Sequence, residues 1–149
     1  MVSFIMITKK VAVASDHAGP EMKKLVIKEL QKLGIETIDL GTVSNESVDY
    51  PDYAEKLVDA VKNAEADMGV LICGTGIGMS IAANRHREIR AANCFNEETS
   101  SLARRHNNAN VLALGARIID LDTAAKCVHT FFTTEFEGGR HQKRLDKIS

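Results

Sequence analysis

The chain has 149 residues, enough for one domain that buries about 68–70% of its unfolded surface. Hydrophobic residues make up 44% and charged residues 26%, and the formal net charge of −1 gives no general attraction to nucleic acid or anionic membrane. Tryptophan is absent and aromatics are 5%, which argues against a stacking platform for single-stranded nucleic acid.

Met1–Thr8 is apolar in part but lacks a basic lead-in, a long apolar core and a cleavage motif. It is too short to span a bilayer. It reads as the body of a short N-terminal extension (1–9), with Met6 able to open the same domain. Val11–Ser15 is the first predicted strand, ending in the polar turn Asp16-His17-Ala18-Gly19. Pro20 suits a helix's first turn, Met22, Leu25, Val26, Leu30 and Leu33 mark one helical face, and Gly34 is a natural stop. Ile35–Leu40 is a second strand, followed by a polar loop, Gly41–Asp49. Tyr50-Pro51-Asp52 opens a helix that buries Ala54, Leu57, Val58 and Val61.

Met68–Cys73 is a short apolar run of the kind a fully buried strand needs. It breaks into Gly74, Gly76 and Gly78, and a helix-like segment, Met79–Asn84, follows. Ile89–Cys94 is a fourth strand, Asn96 an N-cap for a polar helix to about His106, and Val111–Leu114 a fifth strand. Leu121–Phe132 is apolar with helical period, and the tail, 135–149, is basic and polar with Leu145 and Ile148 as its late anchors. Strand and helix alternate without a composition break, which predicts one doubly wound α/β domain over 1–149 with a mostly parallel sheet. Ligands in such sheets bind beyond the carboxyl ends of the strands, so Asp16-His17 and Cys73–Gly78 should meet. The tail either docks on a neighbouring subunit or frays.

The glycine loop is G-x-G-x-G, without a third dinucleotide-type glycine at Met79 and without the Lys-Ser/Thr of a P-loop. It reads as an anion nest at a helix start or as a plain tight turn. Cys73 is either an inert buried thiol or, facing glycine amides, a stabilised thiolate. Cys94 and Cys127 fall to packing. The odd number of cysteines and their wide spacing suggest neither disulfides nor zinc, and fit a reducing cytosol. Asp16 could orient a hydroxyl or cap a helix. His106-Asn107-Asn108 ends a helix where such residues are structurally expected. Arg140 and Arg144 stand at i and i+4 if the tail is helical, two guanidinium forks able to grip one phosphate, or else a solvated basic end.

Asp16-His17-Ala18-Gly19, Asp49-Tyr50-Pro51, Cys73–Gly78, Arg105-His106-Asn107, Asn110-Val111-Leu112 and Gly138-Gly139-Arg140-His141-Gln142-x-Arg144 together resemble the sugar-phosphate isomerase family of the type B ribose-5-phosphate isomerases and galactose-6-phosphate isomerase subunits. The resemblance implies a Rossmann-like three-layer α/β/α sandwich with a five-stranded parallel sheet. It implies a cytoplasmic homodimer or tetramer with shared active sites, acting on a small sugar phosphate without metal or organic cofactor, nucleic acid or membrane. By this likeness Cys73 is the base that moves a proton between C2 and C1 of ribose 5-phosphate and ribulose 5-phosphate. The amides of Gly74, Thr75, Gly76, Ile77 and Gly78 hold the enediolate, with Thr75 touching its oxygens. His106, helped by Thr75 and Asp16, opens the furanose ring. Tyr50 and Asn107 line the sugar site, and His17, Arg117, Arg140 and Arg144 hold the phosphate. Another branch carries a glutamate base where Met79 stands, so this chain resembles the cysteine branch. Two alternatives remain: a six-carbon sugar phosphate (allose or galactose 6-phosphate), and a non-catalytic nucleotide- or flavin-binding module.

Overall fold

Residues 8–149 are described by a computed structural model. The strands β1 (Lys10–Ser15), β2 (Glu36–Asp39), β3 (Met68–Cys73), β4 (Ala91–Asn93) and β5 (Val111–Gly115) alternate with α1 (Pro20–Lys32), α2 (Tyr50–Lys62), α3 (Ile77–Ala83) and α4 (Glu97–Asn107). Two further helices, α5 (Leu121–Thr133) and α6 (Arg140–Asp146), complete the chain. All strands are parallel, in the order β2-β1-β3-β5-β4. The expected α/β/α sandwich is therefore present.

The chain steps outward from β1 to β2 on one side and from β3 to β4 on the other, so the order reverses between β1 and β3. A crevice opens at the carboxyl ends of strands at such a switch point. One layer packs Val11, Val13, Val70, Ile72, Leu112 and Leu114 against apolar residues of α1, α4 and α5, including Val26, Ala103, Phe131 and Phe132. The other packs Ala12, Ala14, Leu71 and Cys73 against α2 and α3, including Leu57, Val58 and Met79. Period-2 alternation along β3 thus turns Cys73 toward α3. Met79, where the other branch carries glutamate, is fully buried.

The short elements differ at their ends from the sequence reading. The fourth strand shrinks to Ala91–Asn93, since the Arg90 amide donates to Asn110 Oδ1 instead of the ladder. The third helix starts two residues early, at Ile77, because Gly76 turns into the left-handed region (φ 83°) and becomes its N-cap. A Cβ at Gly76 would stand 2.5 Å from Asn93 Oδ1 and 3.0 Å from the Leu114 carbonyl carbon, so the turn needs glycine.

Helix α4 begins with a capping box between Asn96 and Thr99 and stops, at the other end of the sheet, at Asn108 (φ 44°). Buried Arg104 ties that stop together, donating from Nη1 to Asn108 Oδ1 at 3.0 Å and from Nε to the Thr134 carbonyl at 3.2 Å. The tail forms α6 and folds back on α4 of its own chain. Of its two apolar anchors only Leu145 is buried, while Ile148 is exposed; burying one leucine contributes roughly 1.5–3 kcal/mol. Thr8 Oγ1 and the Lys9 amide both donate to Asp67 Oδ2, at 3.2 and 3.0 Å, so the last two residues of the expected extension are tied to the domain. The rest of that extension, 1–7, lies outside the described residues. Among those described, no helix is long and apolar enough to cross a membrane.

Candidate active site

Where β3 leaves the sheet, Cys73 is 4% exposed and the Gly76 amide donates to its Sγ at 3.1 Å. Negative charge on sulfur would strengthen that bond. Thr75 Oγ1 accepts from the Ile77 amide at 3.1 Å, which leaves the hydroxyl proton free to donate elsewhere. The amides of Gly74, Thr75, Gly78 and Met79 have no protein partner among the described residues. A thiol thus sits beside a set of unclaimed N–H donors, the arrangement of an anion nest rather than of a closed turn. The other two thiols are buried in the opposite layer, and burial pushes Cys94 up to about 11 and raises Cys127 as well. Neither is suited to act as a base.

The end of β1 lies beside this loop, with Ser15 opposite Ile72. Asp16 is 7% exposed, and its Oδ1 accepts from the Ala18 amide at 2.9 Å. Gly19, not Asp16, is the N-cap of α1, so the carboxylate closes a turn and caps no helix. The Val48 amide donates to His17 Nδ1 at 3.1 Å, which places the proton of the neutral ring on Nε2. The loop after β2 therefore reaches over the site. Two glycines admit large side chains. A Cβ on Gly78 would fall 2.7 Å from Tyr50 Cζ, and one on Gly74 would fall 3.2 Å from Arg117 Nη1. Asp16, His17, Tyr50, Cys73–Gly78 (with Ile77 exposed) and Arg117 thus form one cluster at the carboxyl ends of β1, β3 and β5.

His106, Asn107, Arg140 and Arg144 do not join it. Helix α4 runs back along the sheet, and His106 lies just before the start of β5, where Val111 pairs with Gly69. Cys73 pairs with Gly115 at the far end, and four steps of strand at ~3.3 Å each put the two ends roughly 13 Å apart along β3 alone. Here the His106 ring stacks on His141, with centroids 4.2 Å apart and planes at 15°. Glu137 Oε1 stands 4.0 Å from His106 Nε2 and 3.5 Å from His141 Nε2, while its Oε2 accepts from Arg105 Nε at 2.6 Å. The bond from Arg105 holds the Glu137 carboxyl below the usual carboxylate range. Burial, then the neighbouring His106, hold His141 below its ordinary value, so it is neutral at pH 7. Arg140 and Arg144 are exposed, one turn apart on α6, with no side-chain partner among the described residues. Asn107, Arg144 and Leu145 line a cavity beside the histidine pair.

The chain matches the Ribose/Galactose Isomerase family over residues 11–148. It belongs to that family. The Escherichia coli ribose-5-phosphate isomerase B is 45% identical over 141 residues, covering 95% of each chain. A Thermotoga maritima ribose 5-phosphate isomerase structure superimposes with a TM-score of 0.91 at 55% identity, covering 94% of this chain and 97% of the other. The Mycoplasma genitalium ribose-5-phosphate isomerase B, solved with bound ribulose-5-phosphate, gives a TM-score of 0.89 at 43% identity, with 93% of each chain covered.

Reading the sequence missed Glu137 and His141. The signal was present in the tail's spacing, since His141 and Leu145 stand at i and i+4 and so share the face that packs on α4. A basic run of this kind reads first as solvated, and that obscured it.

Proposed function

We propose that this protein interconverts ribose 5-phosphate and ribulose 5-phosphate through an enediolate, with Cys73 as the proton-transferring base. The observation that carries the reading is the Gly76 N–H held 3.1 Å from Cys73 Sγ, beside amides that have no protein partner. Enediolate chemistry needs one proton shuttle and fixed donors where negative charge develops. The thiolate takes the C2 proton of the open-chain aldose and returns it to C1, while the O2 hydroxyl proton passes to O1 and leaves the carbonyl on C2. The unclaimed amides of Gly74, Thr75 and Gly78 and the Thr75 hydroxyl face the O1–O2 edge, and Asp16 and Tyr50 close the sugar cavity.

Ring opening falls to His106 with Asn107 beside it, and phosphate binding to Arg140 and Arg144. Those residues lie at the other end of the sheet from Cys73 within one chain, so each site takes them from a second copy. A twofold pairing that sets the carboxyl end of one sheet against the α4–α6 end of its partner makes two equal sites. His17, through Nε2–H, and Arg117 then meet the phosphate-binding arginines of that copy. Holding the phosphate away from the reacting carbons supplies binding energy for orientation. Glu137 and His141 act on His106 as positioning residues, one by its carboxylate and one by ring stacking. Buried free thiols fit a reducing compartment, and the cytosol is the proposed location.

Turnover of ribose 5-phosphate in the presence of a chelator, lost in Cys73→Ala with the fold retained, tests the assignment. Undiminished turnover in that variant would overturn the role of the thiol. The family's range also includes galactose, so a six-carbon sugar phosphate is the second reading; kcat/KM across pentose and hexose phosphates separates the two. The nucleotide- or flavin-binding alternative draws no support from the family.

A further inference from the structure

We propose that the ion pair between Lys23 and Asp39 positions Asp16, His17 and Tyr50, by fastening the segment just after β2 to the end of β1. Lys23 is 3% exposed on α1, and its Nζ donates to Asp39 Oδ1 at 2.6 Å. The same oxygen accepts from the Gly41 amide at 2.9 Å. An aspartate closes such a turn readily with no cation behind it. Here a lysine is drawn out of water to reach it. Burying an ammonium is costly unless it is paired, so the contact adds little net stability and serves to fix one arrangement.

What it fixes is a joint shared by the elements that carry those three residues. Past Asp39, the last residue of β2, the chain stays beside β1. The Leu40 amide donates to the Val13 carbonyl at 2.9 Å, the Ser15 amide to the Gly41 carbonyl at 2.7 Å, and the Thr42 amide to the Ser15 carbonyl at 2.8 Å. Residues 41 and 42 therefore hold both backbone groups of Ser15, and Asp16 and His17 follow directly. On the other side a Cβ at Gly41 would stand 3.1 Å from Tyr53 Cε1. Tyr53 lies one turn of α2 beyond Tyr50, so the same joint braces the start of that helix. The loop then returns to the site, where the Val48 amide meets His17 Nδ1. Residues 43–47 are exposed, which leaves the path of the loop to its two anchored ends.

Without the pair, the Gly41 amide loses its fixed acceptor, the joint loosens and the Val48 amide no longer holds His17 Nδ1. The neutral ring then divides between its two tautomers and offers Nε2–H only part of the time. The effect on turnover rests on the proposed phosphate contact of His17, whereas the effect on the ring does not.

Nitrogen-15 spectra of the histidine rings in the intact protein, taken at about pH 8 where an ordinary imidazole is neutral, read the tautomer directly. The wild type should show His17 on the Nε2–H tautomer alone. Lys23→Met and Asp39→Ala should each show a mixture, with KM for ribose 5-phosphate raised about 10-fold, kcat changed less and circular dichroism retained. Asp39 is half-exposed, so Asp39→Asn, which keeps an acceptor and loses the charge, decides the matter if Asp39→Ala fails to fold. It should move both readings the same way by less. A mixed ring with unchanged KM would support the positioning role and count instead against His17 as a phosphate ligand. A single His17 tautomer in the folded variants, whether KM rises or not, would overturn the proposal.

Discussion

The Gly76 amide points at Cys73 Sγ from 3.1 Å, a contact that exists because the chain turns left-handed at Gly76 immediately after β3 ends. One backbone turn both starts α3 and supplies the thiol with a donor. Cys73→Ala removes the proposed base from a buried position that alanine fits, and kcat should fall by roughly 10²–10⁴-fold. Circular dichroism and melting temperature should change little, since only one hydrogen bond of about 1 kcal/mol is lost.

Gly76→Ala tests the turn itself. Alanine at a φ of 83° costs roughly 1–2 kcal/mol, and its Cβ would meet Asn93 Oδ1 and the Leu114 backbone. A lower melting temperature and a loss in kcat larger than the change in KM are expected. Wild-type kcat in a stably folded variant would show that the cradle geometry is not needed.

Much of this was legible in the sequence, and the reasons are local. The apolar run Met68–Cys73 admits little besides a buried strand, and three alternating glycines after it announce a turn with exposed amides. The start of α3 was misplaced because helix geometry begins inside the glycine loop, where propensity argues against it. The fourth strand was overextended because Ile89 and Arg90 look like strand residues, and only the distant Asn110 side chain diverts the Arg90 amide. The separation of His106 from Cys73 is a property of topology. Because β4 and β5 are parallel, α4, which joins them, must return to the amino end of the sheet and carry His106 there. The stack of His106 on His141 depends on α6 finding α4, and few apolar residues signal that contact.

Acid should loosen α6. His141 lies below its ordinary value of 6.5 because burial disfavours the charged ring. A histidine with a lowered folded value stabilises docking fully above its unfolded value, and that contribution falls away as pH drops from there through the folded value. Glu137 lies below its ordinary 4.5 because of Arg105, so its contribution is present above 4.5 and lost as pH falls through the lowered value. Both act in one direction. Hydrogen exchange of the α6 amides, corrected for intrinsic rates, should show protection falling below pH 6.5, and His141→Asn should flatten the upper part of that fall. Protection that is constant or rises on acidification would contradict the docking account.

Arg144→Ala should raise KM for ribose 5-phosphate by about 10- to 100-fold, the value of one charge-assisted contact to phosphate, with kcat less affected. Arg140→Ala should behave similarly. Both side chains are exposed and unpaired among the described residues, so melting temperatures should hold. Unchanged KM in both variants would show that α6 does not reach the phosphate.

The claim that a second copy completes each site is open to one direct measurement. Cys73→Ala and His106→Asn should each be inactive alone. In a mixed dimer, the thiol of one chain meets the histidine of the other at one of its two sites, and the second site lacks both. After full subunit exchange, about half of the dimers are mixed, so activity should recover to about a quarter of the wild-type value. Mixtures that exchange subunits, as mass spectrometry would show, yet remain inactive would place Cys73 and His106 in separate functions and contradict the account.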